Sequence, residues 1–173
     1  MKSYAEFRRE LIVARFMLYL PLISNPEVVA DDTLKRLGWQ LDIERYVAKN
    51  SNLGYSVYFK LEQDDIRFGI FQIEFRDFID KIADILGVKK PEEGWTEIAF
   101  HPNYIKNGRT NDIFIFQFVG VILDMYDCDL MLAEQNLNTP LMNRSDDQVK
   151  IFEVYSWEEE HIDAIGVPVE YSK

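Results

Sequence analysis

The hydrophobic pattern of the chain changes its period near residue 73, and this change restricts the fold to classes that contain both strands and helices. Residues 55–61 and 66–72 alternate apolar and polar side chains around the acidic segment 63–65, which predicts an antiparallel hairpin. From Phe75 to Leu86 apolar residues recur at intervals of three and four, which predicts a helix that Gly87 ends.

The remaining segments extend this mixed pattern. Ser3 and Glu6 have the spacing of a capping box, and we predict a helix from there to about Leu20. Further helices are predicted over 26–50, where Asn25-Pro26 forms the start, over 113–127 and over 157–165. Strands are predicted over 95–100, 128–134 and 150–155. This order predicts an α+β class, with a predominantly antiparallel sheet and helices packed on one face.

Composition favours one globular domain over residues 1–173, with a helical part over about 3–50 and a mixed part over about 54–165. The hydrophobic fraction is 47%, with 12 Phe, 9 Tyr and 3 Trp, which excludes a disordered chain. The single cysteine, Cys128, excludes an intrachain disulfide and a Cys-based zinc site. We read no signal peptide and no uncharged run long enough to span a membrane, so the expected location is the cytoplasm.

The net charge of −11 lies mostly in the second half of the chain. Residues 1–87 hold 12 basic and 14 acidic side chains, whereas residues 88–173 hold 7 basic and 16 acidic side chains. A negative field disfavours nucleic acids and anionic membranes as partners, and it speeds encounter with a positively charged protein. Solubility alone is the alternative explanation of this charge.

Motifs of catalysis are missing from the sequence. It contains no glycine-rich phosphate loop, no dinucleotide fingerprint and no nucleophile elbow. His101 is expected in a loop. Glu158 and His161 have the spacing of half a carboxylate-bridged metal motif, but no second half exists, and a solvated helix face is the favoured interpretation. We therefore predict no catalytic residue, cofactor or metal, and a protein that is not an enzyme.

Asp124, Asp127 and Asp129 form the densest group of aspartates, at the end of a predicted helix. Three carboxylates can suit Mg²⁺ or Ca²⁺, but their spacing does not match an EF-hand loop. Carboxylates near a helix C-terminus are slightly unfavourable, which favours a role in partner contact. Cys128 lies between two of them, which suppresses its thiolate and indicates a structural cysteine.

The segment Thr110 to Arg144 resembles bacterial immunity proteins of polymorphic toxin systems. The resemblance rests on an apolar helix, the Tyr-Asp-Cys-Asp junction at 126–129, the strand 130–134 and the turn before 141–144. It implies a stoichiometric inhibitor of a cognate toxin domain, often a basic nuclease. The resemblance does not identify any individual binding residue in this chain.

The sequence predicts that this chain is an acidic cytoplasmic protein that neutralises a basic protein partner. More specifically, it predicts an immunity protein. Two alternatives remain open: a metal-dependent hydrolase that uses the acidic cluster, and a homo-oligomeric adaptor. The oligomeric state is not predicted. Each candidate contact is also compatible with an ordinary solvated surface residue. The candidate partner-binding residues are Asp124, Asp127, Asp129, Asp146, Asp147, Tyr155, Trp157, Glu158, Glu159 and Glu160.

Overall fold

The structure is a computed structural model that describes residues 16–38, 43–50, 54–61, 66–73, 76–101, 104–105, 109–110, 112–134 and 139–172. Its helices within these ranges are α1 (Pro26–Arg36), α2 (Asp77–Leu86), α3 (Asp112–Met125) and α4 (Glu159–Ile165). The strands are β1 (Phe16–Pro21), β2 (Ile43–Asn50), β3 (Gly54–Leu61), β4 (Ile66–Ile73), β5 (Trp95–His101), β6 (Tyr104–Ile105), β7 (Arg109–Thr110), β8 (Leu130–Glu134), β9 (Thr139–Ser145), β10 (Gln148–Phe152) and β11 (Val169–Ser172).

The main sheet has the strand order β11-β10-β9-β8-β1-β5-β4-β3-β2, and β6 and β7 pair separately. Neighbouring strands of the main sheet are antiparallel except β10 and β11, which are parallel. A parallel pair needs a crossover connection, and α4 supplies it here. The predicted α+β class with a predominantly antiparallel sheet is confirmed.

The larger core lies between one face of the sheet and α1, α3 and α4. Helix α3 is buried on nearly every described face, because it lies between the sheet and the other two helices. Phe118 of this helix meets Phe68 and Phe100 of the sheet edge-on, with ring centroids 5.2 and 5.1 Å apart. Such contacts anchor α3 to the central strands.

Helix α2 covers the opposite face of the sheet. Its Ile79 and Ala83 pack with Tyr19, Trp95 and Met131 in a second, smaller core. Three helices thus lie on one face of the sheet and α2 lies on the other, so the prediction that the helices pack on one face is wrong for α2. The predicted helix is confirmed over Asp77–Leu86, and Gly87 forms its C-cap with a φ of 70°, as predicted. Phe75 itself lies outside the described residues.

Two predicted helical segments are wrong. Residues 16–20, which we assigned to the first helix, form β1 in the middle of the sheet, and residues 43–50 form β2. In β1, Phe16, Leu18 and Leu20 face the larger core while Tyr19 faces the smaller one. A strand that is buried on both faces reads as a continuous apolar run, which its period cannot distinguish from a buried helix.

Other expectations have mixed outcomes. The start at Asn25-Pro26, the hairpin of β3 and β4, and the helix over 113–127 are confirmed. The strand predicted over 150–155 is β10, which ends at Phe152, and β9 and β11 were not predicted. The predicted capping box at Ser3 lies outside the described residues. Gly38, which we placed inside a helix, instead follows the end of α1 with a φ of 74°.

Candidate functional site

Exposed carboxylates dominate the surface contributed by the last third of the chain. In the described residues 121–134 and 139–172, ten Asp and Glu residues are exposed, while Arg144 is buried and Lys150 is half-buried. No Lys or Arg of these ranges is exposed. The ten acidic residues are Asp124, Asp127, Asp146, Asp147, Glu153, Glu158, Glu159, Glu160, Asp163 and Glu170.

The three aspartates near the end of α3 do not converge on one point. Asp124 pairs with Arg36 of α1 at 2.8 Å, and Asp129 accepts the main-chain N–H of Lys89 at 2.8 Å. Asp127 is exposed between them. Among the described residues, no group of three or more His, Cys, Asp or Glu side chains is arranged to hold a metal ion. The geometry therefore does not support the metal site considered for this cluster.

Asp146 and Asp147 form the two-residue turn between β9 and β10. Their φ angles are 51° and 63°, so both residues have a left-handed backbone, as a type I′ turn requires. For residues other than glycine, this conformation costs roughly 1 kcal/mol or more per residue. The turn holds two exposed carboxylates in the place where Asn-Gly is the favoured sequence.

Tyr155 and Trp157, the predicted aromatic anchors, are half-buried against the larger core. The Trp157 ring lies 4.9 Å from Phe116 and 5.0 Å from Tyr155, measured between centroids. The Trp157 indole N–H donates to the carbonyl of Phe152 at 2.8 Å. Much of each ring is therefore committed to the fold, and only the remaining surface is free to meet a partner.

Glu158, Glu159 and Glu160 are exposed at the start of α4, as predicted for a solvated helix end. The same expectation was wrong for His161, which is 7% exposed and packs against Phe116. The His161 Nδ1 atom accepts the N–H of Glu158 at 3.0 Å and so caps the helix. His161 is therefore a helix-capping and core residue and not a solvated side chain.

Arg144 on β9 holds the end of α3, and the sequence analysis did not single it out. Its side chain is buried, and its Nε and two terminal nitrogens donate to the carbonyls of Cys128, Leu123 and Tyr126. The first two distances are 2.7 and 2.8 Å. The Leu123 carbonyl lies in the last turn of α3, where the helix has no internal donors left and a cation is favoured, and the other two carbonyls lie in the segment that follows. The signal that the sequence offered was only an arginine close after the apolar residues Leu141 and Met142.

The thiol of Cys128 has a raised pKa, as predicted, but the main cause differs. Burial raises the pKa most, Asp129 and Asp127 add to the effect, and the Arg144 guanidinium opposes it. The neutral thiol is favoured, which fits a structural cysteine.

Tyr19 and Glu97 form a polar pair on the face of the sheet that α2 covers. They are cross-strand partners on β1 and β5, and the Tyr19 hydroxyl donates to Glu97 Oε2 at 2.6 Å. Burial raises the pKa of Glu97, and the hydrogen bond from Tyr19 opposes this shift. Burial also raises the pKa of Tyr19, with the charge of Glu97 as a further cause. The sequence reasoning missed this pair because it depends on the register between β1 and β5.

In the described part of the chain, grooves lie beside the link from α3 to β8 and beside the last turn of α3. One, of about 380 Å³, is lined by residues of β1 and α1 together with Tyr126 and Cys128. The other, of about 360 Å³, lies between the end of α3 and strands β10 and β11. The second groove includes Asp147, which is one of the predicted partner-binding residues.

Comparison of the chain with family models, curated protein sequences and solved structures returned no match in any of the three. Within the described ranges, the helices lack the combination of length and apolar character that crossing a bilayer requires.

Proposed function

We propose that the chain binds and neutralises a basic protein partner, and that it is an immunity protein that inhibits a cognate toxin domain such as a nuclease. The observation that carries this proposal is the surface of residues 121–172. Of its ten exposed carboxylates, nine have no ion pair within the described residues, and only Asp124 is paired, with Arg36.

Unpaired carboxylates attract a cationic protein at long range because their field is not cancelled by neighbouring cations. Opposite fields raise association rate constants to about 10⁸ M⁻¹s⁻¹ or more at low salt. An inhibitor of a lethal enzyme needs such speed, since it must bind the toxin before the toxin acts. The resemblance of residues 110–144 to immunity proteins supports the same proposal.

The experiment is a growth assay with the product of the neighbouring gene. We expect that gene to encode a toxin whose basic C-terminal domain arrests growth when expressed alone, and co-expression of this chain to restore growth. The purified pair should associate at least about tenfold faster in 20 mM salt than in 500 mM salt. Failure to restore growth, or an association rate that is independent of salt, would contradict the proposal.

A homo-oligomeric adaptor is a second candidate, because α2 exposes two large apolar side chains. Phe78 and Ile85 are 50% and 72% exposed and lie seven residues apart, which places them on one side of the helix. Such a surface favours association. Light scattering of the full chain tests this candidate: a dimer that Ile85→Lys dissociates supports it, and a monomer at all concentrations rules it out.

A further inference from the structure

The groove between the end of α3 and strands β10 and β11 has an apolar floor. Leu123 comes from α3, Val149 from β10, Val169 from β11, and Val167 and Pro168 from the segment that joins α4 to β11. Leu123 and Val149 are nearly buried, whereas Val167 and Val169 are half-buried. An apolar side chain that entered this groove would cover surface that now meets water.

The rim of the groove is acidic. Asp147 of the β9–β10 turn and Glu170 of β11 both line the groove, both are exposed, and neither has an ion pair within the described residues. Arg144 also lines the groove, but each of its three nitrogens already donates to a main-chain carbonyl. Each nitrogen of Arg144 is therefore engaged near the end of α3, and the exposed groups at the rim are the two carboxylates and the neutral amide of Gln148.

We propose that this groove docks a basic segment of the partner protein, in which one apolar side chain enters the groove and flanking Lys or Arg residues face Asp147 and Glu170. The inference rests on the proposed function and names the surface that would serve it. Charge complementarity selects the occupant, since an acidic or neutral segment would leave the two carboxylates unpaired.

The dimensions of the groove agree with this occupant. Pockets for small ligands span about 300–1,000 Å³, and 360 Å³ lies at the lower end of that range, which suits one or two side chains. Binding hot spots have the same arrangement, with a central apolar anchor inside a ring of polar contacts. The two-residue turn between the paired strands β9 and β10 places Asp147 in this polar ring.

The test is an NMR titration of the full chain with the pentapeptide Lys-Lys-Leu-Lys-Lys, capped at both ends. The methyl signals of Val149, Val167 and Val169 should shift, and the same peptide with Ser in place of Leu should bind at least about tenfold more weakly. The double variant Asp147→Asn and Glu170→Gln should weaken binding about threefold to tenfold at low salt. Asn tolerates the left-handed backbone at position 147, so this variant should fold.

The matched control is the double variant Glu92→Gln and Glu93→Gln, which removes the same charge from exposed residues that do not line the groove. It should change binding less than about twofold. Shifts outside the groove, equal binding of the two peptides or equal effects of the two double variants would overturn the proposal.

The growth assay separates this proposal from the proposed function. If the double variant at the rim still protects cells and the peptide does not bind, the groove is not the docking site, although the protein remains an inhibitor. If the peptide binds the groove but the wild-type chain does not protect cells, the groove stands and the proposed function fails.

Discussion

The contact between α3 and α4 gives a sharp prediction about Gly120→Ala. Gly120 lies inside α3, where α4 crosses it, and a Cβ atom at this position would lie 2.3 Å from the carbonyl oxygen of Ile165. The carbonyl carbon of Ile165 would be 3.0 Å away and the carbonyl oxygen of Ala164 3.2 Å away. All three atoms belong to the main chain of α4, so no side-chain rotation relieves the clash.

Two effects of opposite sign compete in this variant. In an exposed helix, replacing Gly by Ala stabilises by about 1 kcal/mol. Here an ordinary contact requires α4 to move by roughly 1 Å, and overpacking of this kind costs about 1–3 kcal/mol or more. The shift also disturbs Ile165, which is 2% exposed, and its burial is worth about 1.5–3 kcal/mol in full. We expect a net loss of about 1–3 kcal/mol in the free energy of unfolding.

Urea denaturation followed by tryptophan fluorescence measures this loss. In a domain of this length the melting temperature should fall by about 2–4 °C for each kcal/mol. Gln117→Ala is the matched control, since Gln117 is a half-buried residue of the same helix, and its effect should stay within about 0.5 kcal/mol. A Gly120→Ala protein that is as stable as the wild type, or more stable, would refute the close packing of α4 on α3.

Three further predictions concern polar groups. Arg144→Met should lower the free energy of unfolding by about 2–4 kcal/mol in urea denaturation, because three carbonyls at and after the end of α3 lose their donor. Arg144→Lys should recover only part of this loss. Full recovery by lysine would contradict the role of the planar guanidinium. The raised pKa of Glu97 favours its protonated form in the folded state, so its contribution to stability is complete below the ordinary value of 4.5 and is lost as the pH rises through the folded pKa. In Glu97→Gln this titration is removed, so the stability of the variant should fall less with rising pH than that of the wild type, and urea denaturation from pH 4 to 8 checks whether the decline disappears. Replacing Asp146-Asp147 by Asn-Gly should raise the free energy of unfolding by about 1 kcal/mol in thermal melts. The same change should slow association with the basic partner. Unchanged stability would argue against strain in the turn.

The elements predicted correctly from the sequence are those in which apolar residues recur with a clear period. Helix α2 lies on the sheet with one side in contact with solvent, so its apolar residues recur at helical spacing. The residues of β3 and β4 alternate apolar and polar side chains, and four polar residues separate the two segments in the sequence. Strand β1 has the opposite environment, because Leu18 and Tyr19 are both buried, one on each face of the sheet. A run of this kind contains no alternation, so local sequence cannot distinguish a strand from a helix.

The candidate site was predictable in charge but not in geometry. The second half of the chain was expected to carry the acidic surface, and the ten exposed carboxylates fit that expectation. The groove beside Asp147 depends on β11 pairing in parallel with β10, and β11 was not predicted. His161 was misplaced because its burial depends on Phe116, which is distant in sequence but adjacent in the fold.

The position of β1 in the middle of the sheet has a consequence for synthesis on the ribosome. Its partners are β5 and β8, and Phe16 pairs with Glu134, which is 118 residues later in the chain. At a synthesis rate of about 5–20 residues per second, strand β1 exists for roughly 6–24 s before its neighbour β8 has been made. During that interval its hydrogen-bonding edges are available to other chains. Slower translation before β8 should therefore increase aggregation, and chaperones that hold nascent chains should improve the yield of soluble protein.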